Sequence, residues 1–303
     1  MKVRLGTRGS RLALIQSEAV AGALRARGAE VEIVVVKTSG DRLGQVPLAD
    51  FGGKALFVKE IEDALLADHV NVGVHSLKDM PSELPPGLTL AAFLPREDPR
   101  DVLIASADGG WAALPAGAVV GTSSPRRRAL VLRRRPDLRA EPIRGNVDTR
   151  LEKLRAGAYD ALVLAAAGLN RLGLRLPHCT PLDPAEFVPA VGQGVLAVEA
   201  RQADRELLEL LSAVDDTRTR LAALAERTCL ARLGADCHTA VAAHARTEGE
   251  GLSLVGIVAS PDGATVLRAS SAGPAEAGER LGREVADALL AQGAKGLLDA
   301  GRG

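Results

Sequence analysis

The chain has 303 residues, of which 47% are hydrophobic and 25% charged, and its formal net charge is zero. This length predicts two or three domains, and this composition is that of an ordinary globular protein. The balanced charge argues against a general nucleic-acid-binding protein, and no apolar run is long enough to span a membrane. We therefore expect neither a nucleic-acid partner nor a membrane partner.

The cysteines give no sign of a disulfide or a metal site. Cys179, Cys229 and Cys237 are odd in number and are not spaced as zinc ligands or as a CxxC redox pair. The N-terminal MKVRLGTRGS also lacks the apolar core of a secretion signal. These features predict a cytoplasmic protein with no structural disulfide and no bound metal.

The first part of the chain alternates strands and helices. KVRLGTRGS predicts a strand that runs into a helix ending at Gly28, with Ser10 as the N-cap. VEIVVVKTSGD is a continuous apolar run, which predicts a strand buried on both faces. A polar loop over 42–53, a helix over 54–68 and the strands HVNVGVHS and LTLAAFL complete this α/β unit.

A second α/β unit follows. Its predicted strands are DVLIAS, AVVGTSS, LRAEPIRG and YDALVLAAAG, with helices after Pro125 and after Asn146. PAVGQGVLAVEA predicts a strand that returns to the first unit. Two α/β units joined by crossing strands predict two lobes with a cleft between them.

The C-terminal part differs in character. DDTRTRLAALAERTCLARLG predicts an amphipathic helix, in which Cys229 has the spacing of a core residue. CHTAVAAHART, LSLVGIVAS and TVLRASSAG predict strands, the last two joined by a turn at Asp262-Gly263, and a final helix over 274–293 packs on them. The predicted fold class is α/β, with two lobes and a smaller α+β C-terminal domain. The predicted domains are 1–94 with 195–213, then 95–194, then 214–303.

The stretch from Gly121 to Arg155 carries a concentration of positive charge. It holds ten Arg and one Lys against two Asp and two Glu, a net charge of +7 in a neutral chain. The hydroxyl residues at 122–124 precede Pro125 and a run with helical spacing, so a helix N-terminus with free backbone N–H groups is expected. Arg adds two-pronged donors for carboxylate or phosphate. We predict a polyanion site, with a solvated helix face as the alternative for 133–135.

Four further residues are candidates for chemistry. Lys78 and Asp79 follow a predicted strand, and ligands of open α/β sheets collect at such strand ends. Asp79 could move protons or stabilise a cation, or it could simply cap the next turn. Arg8 lies in GTRGS, which predicts a strand-to-helix turn like that of GTSS at 121–124. Cys237 lies in a predicted loop, where a stabilised thiolate could act as a nucleophile.

Many of these segments occur together in a recognisable order. They are GTRGS, GGKALFVKEIEDALL, HSLKDMP, REDPRD, GTSSPRR, RGNVDTRL, YDALVLAAAGLNRLG, PAVGQG and the late Cys237. In this order the chain closely resembles the hydroxymethylbilane synthase family, also called the porphobilinogen deaminases, over nearly its whole length. The resemblance implies two lobes like those of type II periplasmic binding proteins, a third domain that carries the cysteine, and a monomer.

The resemblance also implies an activity, that of a transferase in tetrapyrrole (porphyrin and heme) biosynthesis. Members of the family join four porphobilinogen molecules head to tail with loss of ammonia and release hydroxymethylbilane by hydrolysis. A dipyrromethane cofactor primes the chain through a thioether to a cysteine, which by position is Cys237. Asp79 would be the catalytic acid/base that protonates the departing amine and stabilises the azafulvene cation.

Other site residues follow from the resemblance, position by position. Residues that would hold the acetate and propionate groups are Arg8, Ser10, Lys78, Arg126, Arg127, Arg144, Arg150 and Arg171. Supporting positions in the same cleft are Thr122, Ser123, Ser124 and Gln193. A flexible lid would include Lys54, Phe57 and Lys59.

The chain departs from the family pattern at a few positions. Ala235 and Asp236 stand where the family usually has two glycines before the cysteine, and Ala240 stands where a proline is expected. Pro125 replaces a more usual leucine after GTSS. These changes bear on the geometry of the cysteine loop. The negative charge of Asp236 is expected to slow attachment of the primer, so that Asp236→Gly should reload it faster.

Two functions from other classes compete with the synthase. A two-lobed binding protein for small anions, without catalysis, would explain the Arg and hydroxyl clusters but not Asp79 together with Cys237. An RNA-binding module would explain the charge of residues 126–155, but it also predicts aromatic stacking residues, and only Tyr159 lies nearby.

Overall fold

The structure is a computed structural model that describes residues 1–37, 58–235 and 239–301. The chain divides into two compact units, Met1–Glu97 with Gly194–Leu221 and Asp98–Gln193 with Ala222–Gly303. The predicted boundaries of three domains stay a prediction. No helix among the described residues is long and apolar enough to cross a lipid bilayer.

The described strands are numbered in chain order. They are β1 (Lys2–Thr7), β2 (Glu30–Val35), β3 (Val72–Ser76), β4 (Leu88–Phe93), β5 (Asp101–Ala105), β6 (Val119–Gly121), β7 (Arg139–Glu141), β8 (Ala161–Ala165), β9 (Cys179–Pro181), β10 (Leu196–Arg201), β11 (Ala240–Glu248), β12 (Gly251–Ala259) and β13 (Val266–Pro274).

The described α-helices are numbered in the same way. They are α1 (Arg11–Arg25), α2 (Lys59–Leu66), α3 (Pro125–Arg134), α4 (Val147–Arg155), α5 (Ala166–Arg171), α6 (Arg205–Ser212), α7 (Thr217–Leu233), α8 (Gly278–Ala291) and α9 (Ala294–Ala300). Short 3-10 turns cover Leu77–Asp79, Gly110–Ala113 and Ala275–Ala277.

The first unit is built on a five-stranded sheet with the order β2-β1-β3-β10-β4. β1 is parallel to β2 and to β3, and β10 runs antiparallel to its neighbours β3 and β4. The apolar stripe of α1 packs on one face of this sheet, and α2 packs on the other through Ile61 and Leu65. The carboxyl ends of β1 and β3 therefore lie side by side at one edge of the sheet.

The second unit repeats this arrangement. Its main sheet has the order β7-β6-β8-β5-β9, with β6 parallel to β7 and β8, and β5 antiparallel to β8 and β9. In both sheets the antiparallel fourth strand, β10 or β5, is the first strand after the chain crosses from one unit to the other. Two lobes of one topology confirm the predicted α/β class.

A smaller antiparallel sheet, β11-β12-β13, completes the second unit and is covered by α8. Leu130 and Val131 of α3 share one apolar core with Ala242 of β11 and Ile257 of β12. The turn between β12 and β13 contains Gly263 at φ +72°, which confirms the glycine turn predicted there. This sheet and α8 form the predicted α+β part.

The structure corrects several predicted elements. β2 lies at an edge and is only partly buried, with Val35 51% exposed, because β-branched residues favour a strand without fixing its place in the sheet. The strand predicted through Gly168 ends at Ala165, where an alanine run, which favours helix, begins α5. Cys179, predicted in a loop, begins the short strand β9, because β5 has a free edge to pair with. Helices α6 and α9 are additional elements.

Candidate functional site

The first unit places Arg8, Lys78 and Asp79 at one edge of its sheet. Arg8 directly follows β1, and Lys78 and Asp79 form a 3-10 turn directly after β3. β1 and β3 are hydrogen-bonded neighbours, with Leu5 opposite Val72 and Gly6 opposite Gly73. A backbone hydrogen bond holds the turn in place: the N–H of Leu77 donates to the carbonyl of Val195 at 3.0 Å. The two cations, Arg8 and Lys78, and the carboxylate of Asp79 therefore lie at the edge at which ligands of such sheets bind.

Ser10 is the N-cap of α1, as the sequence predicts. Its hydroxyl accepts a hydrogen bond from the N–H of Ala13 at 3.3 Å. The same helix is tied to the end of β3, because Gln16 Nε2 donates to Ser76 Oγ at 3.0 Å. Capping therefore explains Ser10 structurally, and carboxylate binding by its hydroxyl stays a proposal.

The GTSS turn of the second unit is held by its own side chains. Ser123 Oγ donates to the carbonyl of Ile143 at 2.6 Å and accepts from its N–H at 3.0 Å. Ser124 is the N-cap of α3 and accepts from the N–H of Arg127 at 3.4 Å, while Thr122 is buried. Pro125, the departure from the family pattern, occupies the first turn of α3, where a missing N–H costs no helical hydrogen bond.

Arg126 and Arg127 are buried and share one carboxylate, that of Asp101. Arg126 Nη1 donates to Oδ2 of Asp101 at 2.6 Å and to the carbonyl of Val188 at 2.8 Å. Arg127 donates to Oδ1 through Nε at 2.9 Å and through Nη2 at 2.7 Å. Gln193 Nε2 donates to the same Oδ1 at 3.0 Å. Three predicted site residues are thereby brought together around one acid.

The charge state of this cluster follows from its contacts. Asp101 is fully buried, and burial by itself would raise the pKa of its carboxyl. The charges of Arg126 and Arg127 and the hydrogen bonds from Arg126 and Gln193 outweigh burial and hold that pKa below its ordinary value. Two guanidiniums balanced by one carboxylate leave one positive charge in the cluster.

The other predicted cations of the second unit lie on separate elements. Arg144 lies just before the turn that leads into α4, and Arg150 lies within α4, where its Nε donates to the carbonyl of Gly145 at 2.9 Å. Asn146 caps this helix. Arg171 is the last residue of α5. All three arginines are half-buried.

Residues 133–135 form the solvated helix face named as the alternative only in part. Arg133 and Arg134 are exposed, and Arg134 forms an ion pair with Glu186 at 2.7 Å. Arg135 instead is half-buried and donates to the carbonyls of Trp111 and Leu114. Arg133 also donates to the carbonyl of Ala264 at 3.3 Å, so each of the three arginines has a local partner. The prediction of a polyanion site there stays a prediction.

Some predicted residues lie outside the described part of the chain. These are Cys237 and its neighbour Asp236, and the lid residues Lys54 and Phe57. Lys59, also assigned to the lid, is the exposed first residue of α2. Ala240, where the family has proline, is buried in β11 and packs with Ala129 of α3.

The two described cysteines are unsuited to nucleophilic chemistry. Cys229 is completely buried in α7, which confirms the prediction of a core residue, and burial with the nearby charge of Glu226 raises the pKa of its thiol to about 12. Burial also raises the pKa of the Cys179 thiol. Among the described residues, no group of three or more His, Cys, Asp or Glu side chains could hold a metal ion.

The sequence did not point to two acidic residues that organise the second unit. Asp101 begins an otherwise apolar strand, and Glu226 lies on the buried face of α7. The carboxylate of Glu226 accepts from the N–H of Gly192 and from the N–H of Ala245, both at 2.7 Å. A charged residue within an apolar strand was the available signal for Asp101, since a buried charge needs a partner.

Comparison with known proteins agrees with these features. A model of the "Porphobilinogen deaminase, dipyromethane cofactor binding domain" matches residues 3–209, and a model of the "Porphobilinogen deaminase, C-terminal domain" matches residues 220–291. The chain belongs to the porphobilinogen deaminase family. Membership confirms the resemblance drawn from the motifs and identifies the chain as an enzyme of this family, with a domain for a dipyrromethane cofactor.

Several curated relatives are similar over almost the full chain. The porphobilinogen deaminase of Syntrophobacter fumaroxidans is 48% identical over 98% of this chain and 97% of its own. That of Rubrobacter xylanophilus is 48% identical over 99% and 97%, and that of Roseiflexus sp. is 49% identical over 97% of each chain. Among solved structures, a YaeC-family lipoprotein from Enterococcus faecalis aligns with a TM-score of 0.45 at 13% identity, covering 72% of this chain and 93% of that chain.

Proposed function

We propose that this chain condenses four porphobilinogen molecules stepwise, with loss of ammonia, onto a covalently bound dipyrromethane primer and releases hydroxymethylbilane by hydrolysis. Membership of the porphobilinogen deaminase family supports this reaction. The observation that carries the site is the adjacency of Arg8 and the Lys78-Asp79 turn at one sheet edge. The comparisons lend no support to a binding protein without chemistry.

Asp79 has the position and the chemistry of an acid/base. Its carboxyl group would give a proton to the departing amine and would stabilise the positive charge that develops on the pyrrole as ammonia leaves. The turn that carries it is anchored through Leu77 to Val195, the residue before β10, so the carboxyl group is presented from a rigid element. Lys78 and Arg8 beside it would hold substrate carboxylates.

The positive residues of the second unit fit a polyanionic chain bound during the reaction. Six linked pyrroles, two from the primer and four from substrate, carry about twelve carboxylates that are ionised at neutral pH. Planar cations for these groups would come from Arg126 and Arg127, which lie with Gln193 around Asp101. Further cations would come from three arginines on other elements, Arg144, Arg150 and Arg171. The hydroxyl turn at 122–124 would add neutral donors beside them.

Attachment of the primer is assigned to Cys237. The bound dipyrromethane would supply the pyrrole carbon to which the first substrate unit is joined. Of the other two cysteines, Cys229 is buried with a raised pKa and Cys179 is half-buried with a raised pKa, so both are poor sites for a thioether. We also infer a monomer, as the resemblance implies, and a place in the cytoplasm, as the odd number and the spacing of the cysteines predict.

An intact-mass measurement of the purified protein tests the assignment. The wild type should be heavier than its sequence by a dipyrromethane, and the Cys237→Ser variant should not be. The matched control is Cys179→Ser, which should keep the added mass and the release of hydroxymethylbilane from porphobilinogen. If the wild type and Cys237→Ser both have the mass of their sequences, porphobilinogen is added to the wild type. An apo-synthase would then gain mass, whereas a binding protein without chemistry would not. A wild type that never gains mass would refute the proposal.

A further inference from the structure

Three titratable side chains meet in the interior of the first unit, apart from the site above. Glu62 of α2, His75 of β3 and Glu199 of β10 are 7%, 5% and 0% exposed. His75 Nε2 and Glu199 Oε2 are 3.0 Å apart. His75 lies on the face of the sheet that α2 covers, because side chains alternate along β3 and the Cα of Gly73, two residues earlier, faces Ile61 and Leu65 of α2.

The polar atoms of this cluster are poorly satisfied. Nε2 of His75, both carboxylate oxygens of Glu199 and Oε1 of Glu62 are buried, and none makes a well-aligned hydrogen bond within the described part of the chain. The contact between Nε2 of His75 and Oε2 of Glu199 is an ion pair only when the imidazole is protonated. Buried carboxyl oxygens without donors are costly when ionised and much less so when protonated.

The surrounding charges do not neutralise the second carboxylate. His75 carries at most one positive charge, so it can balance at most one of the two glutamates. Asp63, next to Glu62, adds further negative charge. Arg4 of β1 and Arg201 of β10 are both bound to Asp68 beyond the end of α2. β4, whose sequence is LTLAAF, contributes no charged residue.

The sequence is adapted to this close contact between helix and strand. A Cβ on Gly73 would lie 2.8 Å from the side chain of Ile61 and 2.9 Å from Nε2 of His75. Glycine at this position therefore lets the imidazole fold back over the strand and lets α2 approach it. The cluster is thus a consequence of how α2 docks on the sheet.

We propose that Glu62, His75 and Glu199 form a buried proton-binding site, which takes up a proton when α2 packs on the first sheet. Burial, followed by the charge of Glu199, raises the pKa of Glu62 to about 7, although His75 acts in the opposite direction. A carboxyl whose pKa is raised by folding stabilises the folded state fully below its unfolded pKa, and this contribution is lost as the pH rises through 7. The packing of α2 on β3, the strand that precedes the Lys78-Asp79 turn, therefore weakens as the pH rises from the acid range through 7. The proposal does not depend on the reaction that the chain catalyses.

Substitution of Glu62 by its neutral isostere tests the proposal. Urea unfolding of the wild type, Glu62→Gln and the control Asp63→Asn is followed from about pH 5.5 to about pH 8.5. Asp63 is the exposed neighbour of Glu62 on the same helix and has the same charge. Wild type and Asp63→Asn should lose stability more steeply than Glu62→Gln between about pH 5.5 and about pH 7, and the slopes should converge above about pH 8. The difference in slope should approach one proton near about pH 6. Equal slopes for Glu62→Gln and the wild type would overturn the proposal.

A measurement on the unaltered protein keeps the test decisive if Glu62→Gln does not fold. Carbon-13 NMR of the glutamate carboxyl groups in the wild type should show one resonance that titrates near pH 7. A spectrum in which every glutamate resonance titrates below about pH 5.5 would overturn the proposal.

Discussion

Nε and Nη2 of Arg127 both donate to a single oxygen, Oδ1 of Asp101, at 2.9 and 2.7 Å. The other oxygen, Oδ2, accepts from Arg126 at 2.6 Å. One buried carboxylate therefore fixes two adjacent guanidiniums at the start of α3, where the polypeptide alone would leave two long side chains free to rotate. The arrangement pre-organises cations whose side chains would otherwise lose conformational entropy on binding an anion.

Asp101→Asn should strongly destabilise the protein at neutral pH, because two buried guanidiniums would lose their counter-charge. Loss of one partner of a buried ion pair costs about 3–5 kcal/mol. Because the pKa of Asp101 is lowered in the folded state, its contribution is complete above the unfolded pKa and is lost as the pH falls through the acid range. The difference between variant and wild type in urea unfolding should therefore shrink below about pH 4.

Asp98→Asn, which breaks the more exposed pair with Arg100, is the control and should cost about 1 kcal/mol or less. Equal losses for the two variants would contradict this account.

Asp79→Asn should reduce kcat by about 10²–10⁴-fold while KM changes little, because asparagine keeps the shape of the side chain but cannot transfer a proton. Steady-state formation of hydroxymethylbilane measures this effect. Glu83→Gln, an exposed carboxylate four residues later, is the matched control and should retain full activity. A turnover number of Asp79→Asn within a few-fold of the wild type would exclude Asp79 as the acid/base.

Alkylation should distinguish the three cysteines. In the folded protein at mildly alkaline pH, Cys229 should remain unmodified, because it is fully buried and its pKa is raised to about 12, and Cys179 should react slowly. After unfolding, the cofactor-loaded protein should carry labels on Cys179 and Cys229 only, since a thioether at Cys237 cannot be alkylated. Peptide mapping by mass spectrometry shows the sites. A label on Cys237 in loaded, unfolded protein would count against the thioether, and rapid labelling of native Cys229 would count against the packing of α7.

Gly263→Ala should destabilise the second unit by roughly 2–4 kcal/mol, from left-handed backbone strain and a steric clash together. A Cβ at this position would lie 2.2 Å from the carbonyl oxygen of Ala129 and 2.8 Å from the N–H nitrogen of Arg133, so the turn would be pushed away from α3. Gly117→Ala is the control, since its φ of +79° is similar but its Cβ would meet no atom within 4 Å. Thermal unfolding should show a clearly smaller loss for Gly117→Ala, and equal losses would mean that the turn does not press on the helix.

Much of the site could be predicted from short motifs, because local chemistry fixes them. Ser10 caps α1, Ser124 caps α3 and Asn146 caps α4, as hydroxyl and amide side chains commonly do at the N-terminus of a helix. The turn that carries Lys78 and Asp79 follows from a buried strand limited by a proline. The order of these motifs along the chain also established the family.

The tertiary structure decided what the local sequence could not encode. The partner of Arg126 and Arg127 is 25 residues or more away along the chain, and Glu199 meets His75 only because β10 inserts beside β3. The edge position of β2 and the strand β9 likewise depend on which strands lie next to one another. The sequence by itself determined the capped turns, the two-lobed class and the family, since these rest on periodicity and local hydrogen bonding. The pairing of buried charges required the fold, because a buried ion finds its partner across elements that only the sheet order brings into contact.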